Sequence, residues 1–174
     1  EIYLQFDSFE RAALMSRRGA DLRQVRVRAI ERLNEVGLST TLVVTVAKGV
    51  NDSEIGRIID YAATQACVRG VTLQPVQFAG RIDAPDMHAA RLTLTEVRRM
   101  ILDQTAMFAA EDIIPVPCNP DALAMGYALK TAAGVLPLTR YLGTQALLAG
   151  DRNTIVFESD GVLKEQVFMW FCTS

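Results

Sequence analysis

The sequence predicts an α/β fold built on a parallel sheet, and three observations point there. Short β-branched and apolar runs alternate with stretches whose apolar residues recur every three to four positions. The run at 40–47, TTLVVTVA, is apolar on both parities, as a strand covered on both faces would be. Each strand-like run gives way to a helical pattern within a few residues, the spacing of successive βαβ units.

The elements follow in order. Residues 2–6, IYLQF, read as a first strand, and 7–20 as a polar stretch. Leu22, Val25, Ala29, Leu33 and Val36 fall on one helical face, with Asp21 placed to cap its start and Gly37 its end. After the strand at 40–47, Lys48-Gly49 makes a turn, with Gly49 free to take a positive φ. Asn51 and Glu54 have the spacing of a capping box, and Ile55, Ile58, Ile59, Ala62 and Ala66 line the helix that follows. Residues 70–78 read as a third strand, in which Pro75 suits an end or a bulge. Residues 79–92 read as a loop long enough to carry function. Thr93 and Glu96 form a second capping-box pair before a helix with Leu94, Val97, Ile101 and Phe108 inward. A short strand is expected at 113–116, then a helix capped by Asn119 and begun by Pro120. Beyond Gly134 the pattern weakens, with a short strand expected at 154–158 and an amphipathic helix at 162–171. The chain thus divides into a sheet-bearing part, 1–117, and a helical extension, 118–174.

Composition narrows the function classes. With 174 residues, half of them hydrophobic and 22% charged, the chain can bury a sizeable core. A formal net charge of -2 leaves no basic footprint for a nucleic-acid duplex. No apolar run is long enough to span a membrane. Three scattered cysteines do not make a disulfide framework, so a reducing cytoplasm is the expected compartment. An apolar strand directly after Glu1 wants neighbours on both sides, so the chain is expected to be a piece of a longer protein.

Parallel sheets bind ligands at the carboxyl ends of their strands. That rim collects Gln5, Asp7, Thr45, Asn51, Gln74, Gln77 and Arg81. Several have a structural alternative. Asp7 could close a ligand site or bond the amides of the next turn. Asn51 and Glu54 could serve the capping box alone, and Lys48 reads as a solvated charge. Gln77 could meet a ligand or a neighbouring strand, and Gln74 and Gln77 share a side only if the strand bulges. Arg81 could hold a phosphate or carboxylate bidentately, or join a surface ion pair. Cys118, at the foot of the helix expected at 119, is the nearest approach to a metal ligand, but one cysteine makes no site. His88, the only histidine, reads as a surface residue, and Cys67 and Cys172 as packing residues.

Three of these stretches, YLQFDS (3–8), TTLVVTVAKGVNDSEIG (40–56) and GVTLQPVQFAGR (70–81), with RGADL (18–22), resemble the radical S-adenosylmethionine (SAM) enzymes. The wording resembles the branch of the molybdenum-cofactor-biosynthesis and tetraether-lipid-synthase enzymes, over residues 1 to 130. The resemblance implies a partial (β/α)6 barrel, of which this chain would carry strands four to six with a C-terminal extension. It implies SAM and a [4Fe–4S] cluster in the parent protein. The cluster's C-x-x-x-C-x-x-C motif is absent here, so the chain is expected to bind neither and to be inactive alone. It further implies Gln5, Asp7, Thr45, Asn51 and Gln77 toward SAM, and Thr41 and Arg81 toward a small-molecule or lipid-like substrate. Exposed barrel edges predict a homo-oligomer. The rival reading is a non-catalytic α/β binding or scaffold domain. An ordinary metal-independent barrel enzyme would need a carboxylate or lysine pair at the rim, and the sequence offers none.

Overall fold

The computed structural model describes residues 1–77, 90–117, 119–131 and 134–148, together with the backbone of Val167–Thr173. Three strands, β1 (Ile2–Gln5), β2 (Thr40–Val46) and β3 (Val68–Pro75), lie side by side in chain order and run parallel. β4 (Ile114–Pro115) and β6 (Gly134–Pro137) pair antiparallel with β5 (Leu123–Thr131). β7 (Val167–Thr173) joins the two halves, parallel to β3 and antiparallel to β5. The class is α/β, and the described strands make a mixed sheet.

The helices are placed by their apolar stripes. α2 (Arg23–Val36), α3 (Ile55–Thr64) and α4 (Leu94–Gln104) all pack into one cluster against one face of the sheet. That cluster holds Ile30 of α2, Ile55, Ile58, Ile59 and Ala62 of α3, and Val97 and Ile101 of α4, against Leu42, Val44 and Val46 of β2 and Val71 and Leu73 of β3. Each such aliphatic side chain contributes about 1.5–3 kcal/mol when fully buried. α3 and α4 approach closely because Gly56 has no Cβ, and one built there would stand 2.3 Å from the Gln104 carbonyl oxygen. The Gln104 side chain completes the contact, accepting from the Gly56 N–H at 3.1 Å and donating to the Asp52 carbonyl at 2.8 Å.

A smaller cluster lies on the other side of β5. Met125 and Tyr127 meet Ile114, Val116, Leu138 and, from α5 (Thr144–Leu148), Leu147. The small residues Ala124 and Ala128 face the main core. Large residues on one parity and small ones on the other mark 123–129 as strand.

Several sequence expectations need correction. The stretch 7–20 is not merely polar, because α1 (Arg11–Arg18) forms there, buries Ala13 and Leu14, and ends at Gly19 with φ 70°. In α2 the inward stripe is Arg26, Ile30 and Leu33, while Val25 and Val36 are exposed. No helix follows Asn119, since β5 occupies that stretch, and 167–173 is strand rather than helix. β3 ends at Pro75, and its register shift lies at its start, opposite Thr40/Thr41, not at the proline. The Thr93–Glu96 capping box is present, and Gly37 and Gly49 take positive φ. The strand expected at 154–158 lies outside the described residues.

Candidate functional site

The winding of β1–β3 decides where side chains point. The even residues of β2 face the helices, so the odd ones face away. The register sets Tyr3 beside Thr41 and Gln5 beside Val43 on β1, and Thr72 and Gln74 of β3 beside Val43 and Thr45. These seven side chains belong to neither apolar cluster. Thr41 is buried and its hydroxyl donates to Glu1 at 3.1 Å, Val43, Thr45, Gln5 and Thr72 are half-buried, and Tyr3 and Gln74 are exposed. So the apolar helix faces of α2, α3 and α4 pack on one face of β2, and its other face is lined largely by polar groups.

At the carboxyl ends of β1 and β2, Asp7 gathers a network. Its side chain is 1% exposed. Oδ1 accepts from Gln5 Nε2 at 2.6 Å, from the Thr45 backbone N–H at 3.0 Å and from Arg18 Nη2 at 3.2 Å. Oδ2 accepts from Arg18 Nε at 2.7 Å and from Arg26 Nη2 at 3.0 Å. Gln5 Nε2 also donates to Thr45 Oγ1 at 3.1 Å. Asn51 closes the group from below, donating to the carbonyls of Asp7 at 2.7 Å and Thr45 at 2.9 Å and accepting from the Ala47 N–H at 2.8 Å. Four of the five residues expected to face a cofactor therefore meet in one network.

Asn51 and Glu54 do not make the capping box that their spacing suggests. Asn51 stitches the ends of β1 and β2 together, and its side chain caps nothing. Glu54, buried, accepts from the Ser8 hydroxyl and from the Phe9 N–H at 3.0 Å, with Arg57 at 3.9 Å. Local spacing lost to long-range pairing, because both side chains are buried beside the β1 end and its orphan groups need partners.

Arg18 and Arg26 were not foreseen from the sequence. The signal for Arg26 was present: it falls four residues before Ile30 on the inward stripe of α2, where a charge demands a buried partner. Arg26 is 5% exposed, and its Nη1 has no hydrogen-bond partner among the described residues. Burial pulls the Arg26 guanidinium below its ordinary pKa, and Arg18 adds repulsion, against the stabilising Asp7 charge. Burial alone would raise Asp7, but the bonds from Arg18, the Thr45 N–H and Gln5 outweigh it and hold the carboxyl below the ordinary range. The cluster holds two guanidiniums and one carboxylate.

The remaining predicted residues lie apart from this network. Gln77 is exposed beyond the end of β3. Lys48 is paired with Glu96 at 3.2 Å rather than simply solvated. Arg81, His88 and Cys118 lie outside the described residues. Cys67 is buried in the main core, where burial pushes its thiol up. Among the described residues no group of three histidine, cysteine or acidic side chains could hold a metal ion, so they do not fit an iron–sulfur cluster. They offer SAM one feature: Arg26, which shares Asp7 with Gln5, keeps at Nη1 a donor of the kind a carboxylate requires. Among the described residues no helix is long and apolar enough to cross a membrane.

No family model matches the chain. Over 119 residues, 67% of its length, the chain is 40% identical to a protein of Methanocaldococcus jannaschii named 7,8-dihydro-6-hydroxymethylpterin dimethyltransferase. The match covers 24% of that protein, so the chain spans about a quarter of the relative's length. This finding overturns the branch assigned from the sequence. The relative that the chain matches is named a pterin dimethyltransferase, not a molybdenum-cofactor-biosynthesis or tetraether-lipid enzyme.

Proposed function

We propose that this chain supplies β/α units to a radical SAM-type methyltransferase, as a wall of a partial β/α barrel whose inner face is the polar face of β1–β3. The winding of the sheet carries the reading. β1, β2 and β3 lie in chain order, and α2 and α3, which connect them, pack on one side. A doubly wound sheet puts helices on both faces, whereas a barrel puts them all outside and keeps its inner face and strand ends for ligands. On this reading residues 1–117 carry the barrel part and the later residues the extension, in a cytoplasmic enzyme.

SAM is the proposed cofactor. Arg26 Nη1 would hold its carboxylate, with Gln5 and Thr45 beside it and Gln77 farther along the rim. Asp7 and Asn51 act through their neighbours, Asp7 by fixing Arg26 and Gln5, Asn51 by fixing the two strand ends. In radical SAM enzymes, SAM bound at a reduced iron–sulfur cluster supplies a carbon-centred radical for C–H activation. This chain's part is to bind the amino-acid end of SAM, orient it and keep water from the strand ends. The proposed substrate is a reduced pterin, the compound class in the relative's name. Thr41, Thr72, Gln74 and Tyr3 present hydroxyls and an amide able to match the donors and acceptors of such a flat heterocycle, and Arg81 is assigned to the substrate as well.

The test uses the full protein that carries this chain, reconstituted anaerobically with iron and sulfide. Reduced and given SAM with 7,8-dihydro-6-hydroxymethylpterin, it is expected to consume SAM and yield methylated pterin by mass spectrometry. Arg26→Gln is expected to lower SAM affinity about tenfold or more. A protein that neither binds nor consumes SAM would refute the reading.

A further inference from the structure

We propose that Gln74 is the specificity-determining residue for the heterocyclic substrate, and that its carboxamide reads the pyrimidine edge of a reduced pterin. The inference rests on the reading of the β1–β3 face as the substrate wall. It deepens that reading by naming the group that reads the ring and the analogue it admits.

Three observations converge. First, Gln74 faces that wall from β3. Val71 and Leu73 enter the main core, so Thr72 and Gln74 stand on the opposite face, where the register sets them beside Val43 and Thr45. Second, the fold makes no use of the Gln74 amide, which has no hydrogen-bond partner among the described residues. The neighbouring polar groups are engaged: Gln5 donates to Asp7 and Thr45, Thr45 also accepts from Arg18, and Thr41 donates to Glu1. Gln74 is exposed, so a ligand can reach it. Third, Gln74 lies within β3, whereas Gln77 lies beyond its end. Three residues of extended chain span about 10 Å. Gln74 therefore meets a ligand on the wall, away from the rim where the cofactor is assigned.

The chemistry of the two partners matches. A carboxamide presents one donor and one acceptor side by side. The pterin edge runs acceptor N1, donor 2-amino group, donor N3–H and acceptor C4=O, so Gln74 pairs with N3–H and C4=O in two hydrogen bonds. A carboxylate only accepts, and it would need the two adjacent donors, the 2-amino group and N3–H. The carboxylates that reach this face are engaged, Asp7 in its network and Glu1 with Thr41. The wall thus reads the ring with an amide, and an amide does not require the 2-amino group. A lumazine, which carries an oxo group in its place, still offers N3–H beside C4=O and is admitted as well.

The experiment measures binding, not turnover. In the full protein carrying this chain, ring fluorescence follows titration with 6-hydroxymethylpterin and with 6-hydroxymethyllumazine. The wild type is expected to bind both rings with similar affinity. Gln74→Glu is expected to favour the pterin over the lumazine by about tenfold or more, because a carboxylate finds its two adjacent donors only on the pterin. Gln74→Leu is expected to weaken both rings about tenfold while the melting temperature and the affinity for S-adenosylhomocysteine stay unchanged. A wild type that binds the pterin and rejects the lumazine, or a Gln74→Glu variant with the wild-type preference, overturns the Gln74 assignment and leaves the pterin reading standing. So does a Gln74→Leu variant that loses S-adenosylhomocysteine and keeps the pterin, since the amide then belongs to the cofactor. A wild type that binds neither ring overturns the pterin reading itself, and the Gln74 assignment with it.

Discussion

Asp7 shows how much one residue can organise. Five hydrogen bonds reach its two oxygens, so removing its charge would leave Arg18 and Arg26 side by side without a counter-ion. Breaking a buried pair in this way costs about 3–5 kcal/mol, and Asp7→Asn is expected to lower the urea midpoint at pH 7 accordingly. The same carboxylate sets an acid dependence. Its folded pKa lies below the ordinary value of 3.8, so in acid the unfolded chain binds the proton first. The stability Asp7 contributes is complete above that ordinary value and fades as the pH falls through the folded one. Wild type is therefore expected to lose stability below about pH 4 more steeply than Asp7→Asn, which circular dichroism during acid titration would reveal. The sequence flagged Asp7 as a rim residue but concealed why it matters. Its two arginine partners come from α1 and α2, eleven and nineteen residues on, and no local spacing announces such pairs.

Elements were legible where local rules decide them and obscure where distant packing does. The Thr93–Glu96 box and the Gly37 stop are local, and both form as expected. β5 was missed because Leu123–Leu129 reads as a continuous apolar run, and only the alternation of large and small side chains marks it as strand. Two elements carry tests. Gly56→Ala would set a methyl group 2.3 Å from the Gln104 carbonyl oxygen, which belongs to backbone and cannot rotate away. Such overpacking costs about 1–3 kcal/mol and should appear as a lower melting temperature with unchanged secondary structure. Lys130 of β5 caps α3, donating to the carbonyls of Ala62, Gln65 and Val68 at 3.0, 2.8 and 2.6 Å. Burial, with repulsion from Arg69, pulls its amine from 10.5 down to about 8. Between those values the unfolded chain holds a proton that the folded chain has released, so this group's contribution to stability rises with pH there. Wild type is expected to gain on Lys130→Met between pH 8 and 10.5, read from urea midpoints.

At the scale of the molecule, the three parallel strands have one edge covered and, among the described residues, one open. β7 pairs with the outer edge of β3, while β1 has no second neighbour among the described strands. Its even residues are spent on β2, since the Ile2 N–H bonds the Ser39 carbonyl at 2.9 Å and the Phe6 N–H bonds the Val43 carbonyl at 2.7 Å. In a parallel strand the odd residues then turn their N–H and C=O groups outward, which leaves Tyr3 and Gln5 to present them. Tyr3 is 69% exposed beside this edge, and Val25 and Val36 leave an exposed apolar surface on α2, the helix that follows β1. Such an edge pairs with any strand that reaches it. The chain taken by itself is therefore expected to self-associate there, and light scattering after size exclusion should give at least twice the monomer mass. Tyr3→Pro removes an outward N–H and leaves every bond to β2 in place, because proline is tolerated on an edge strand whose donor faces away. That variant is expected to run as a monomer with an unchanged melting temperature at low concentration. A wild-type chain that elutes as a clean monomer would show that something other than strand pairing satisfies β1.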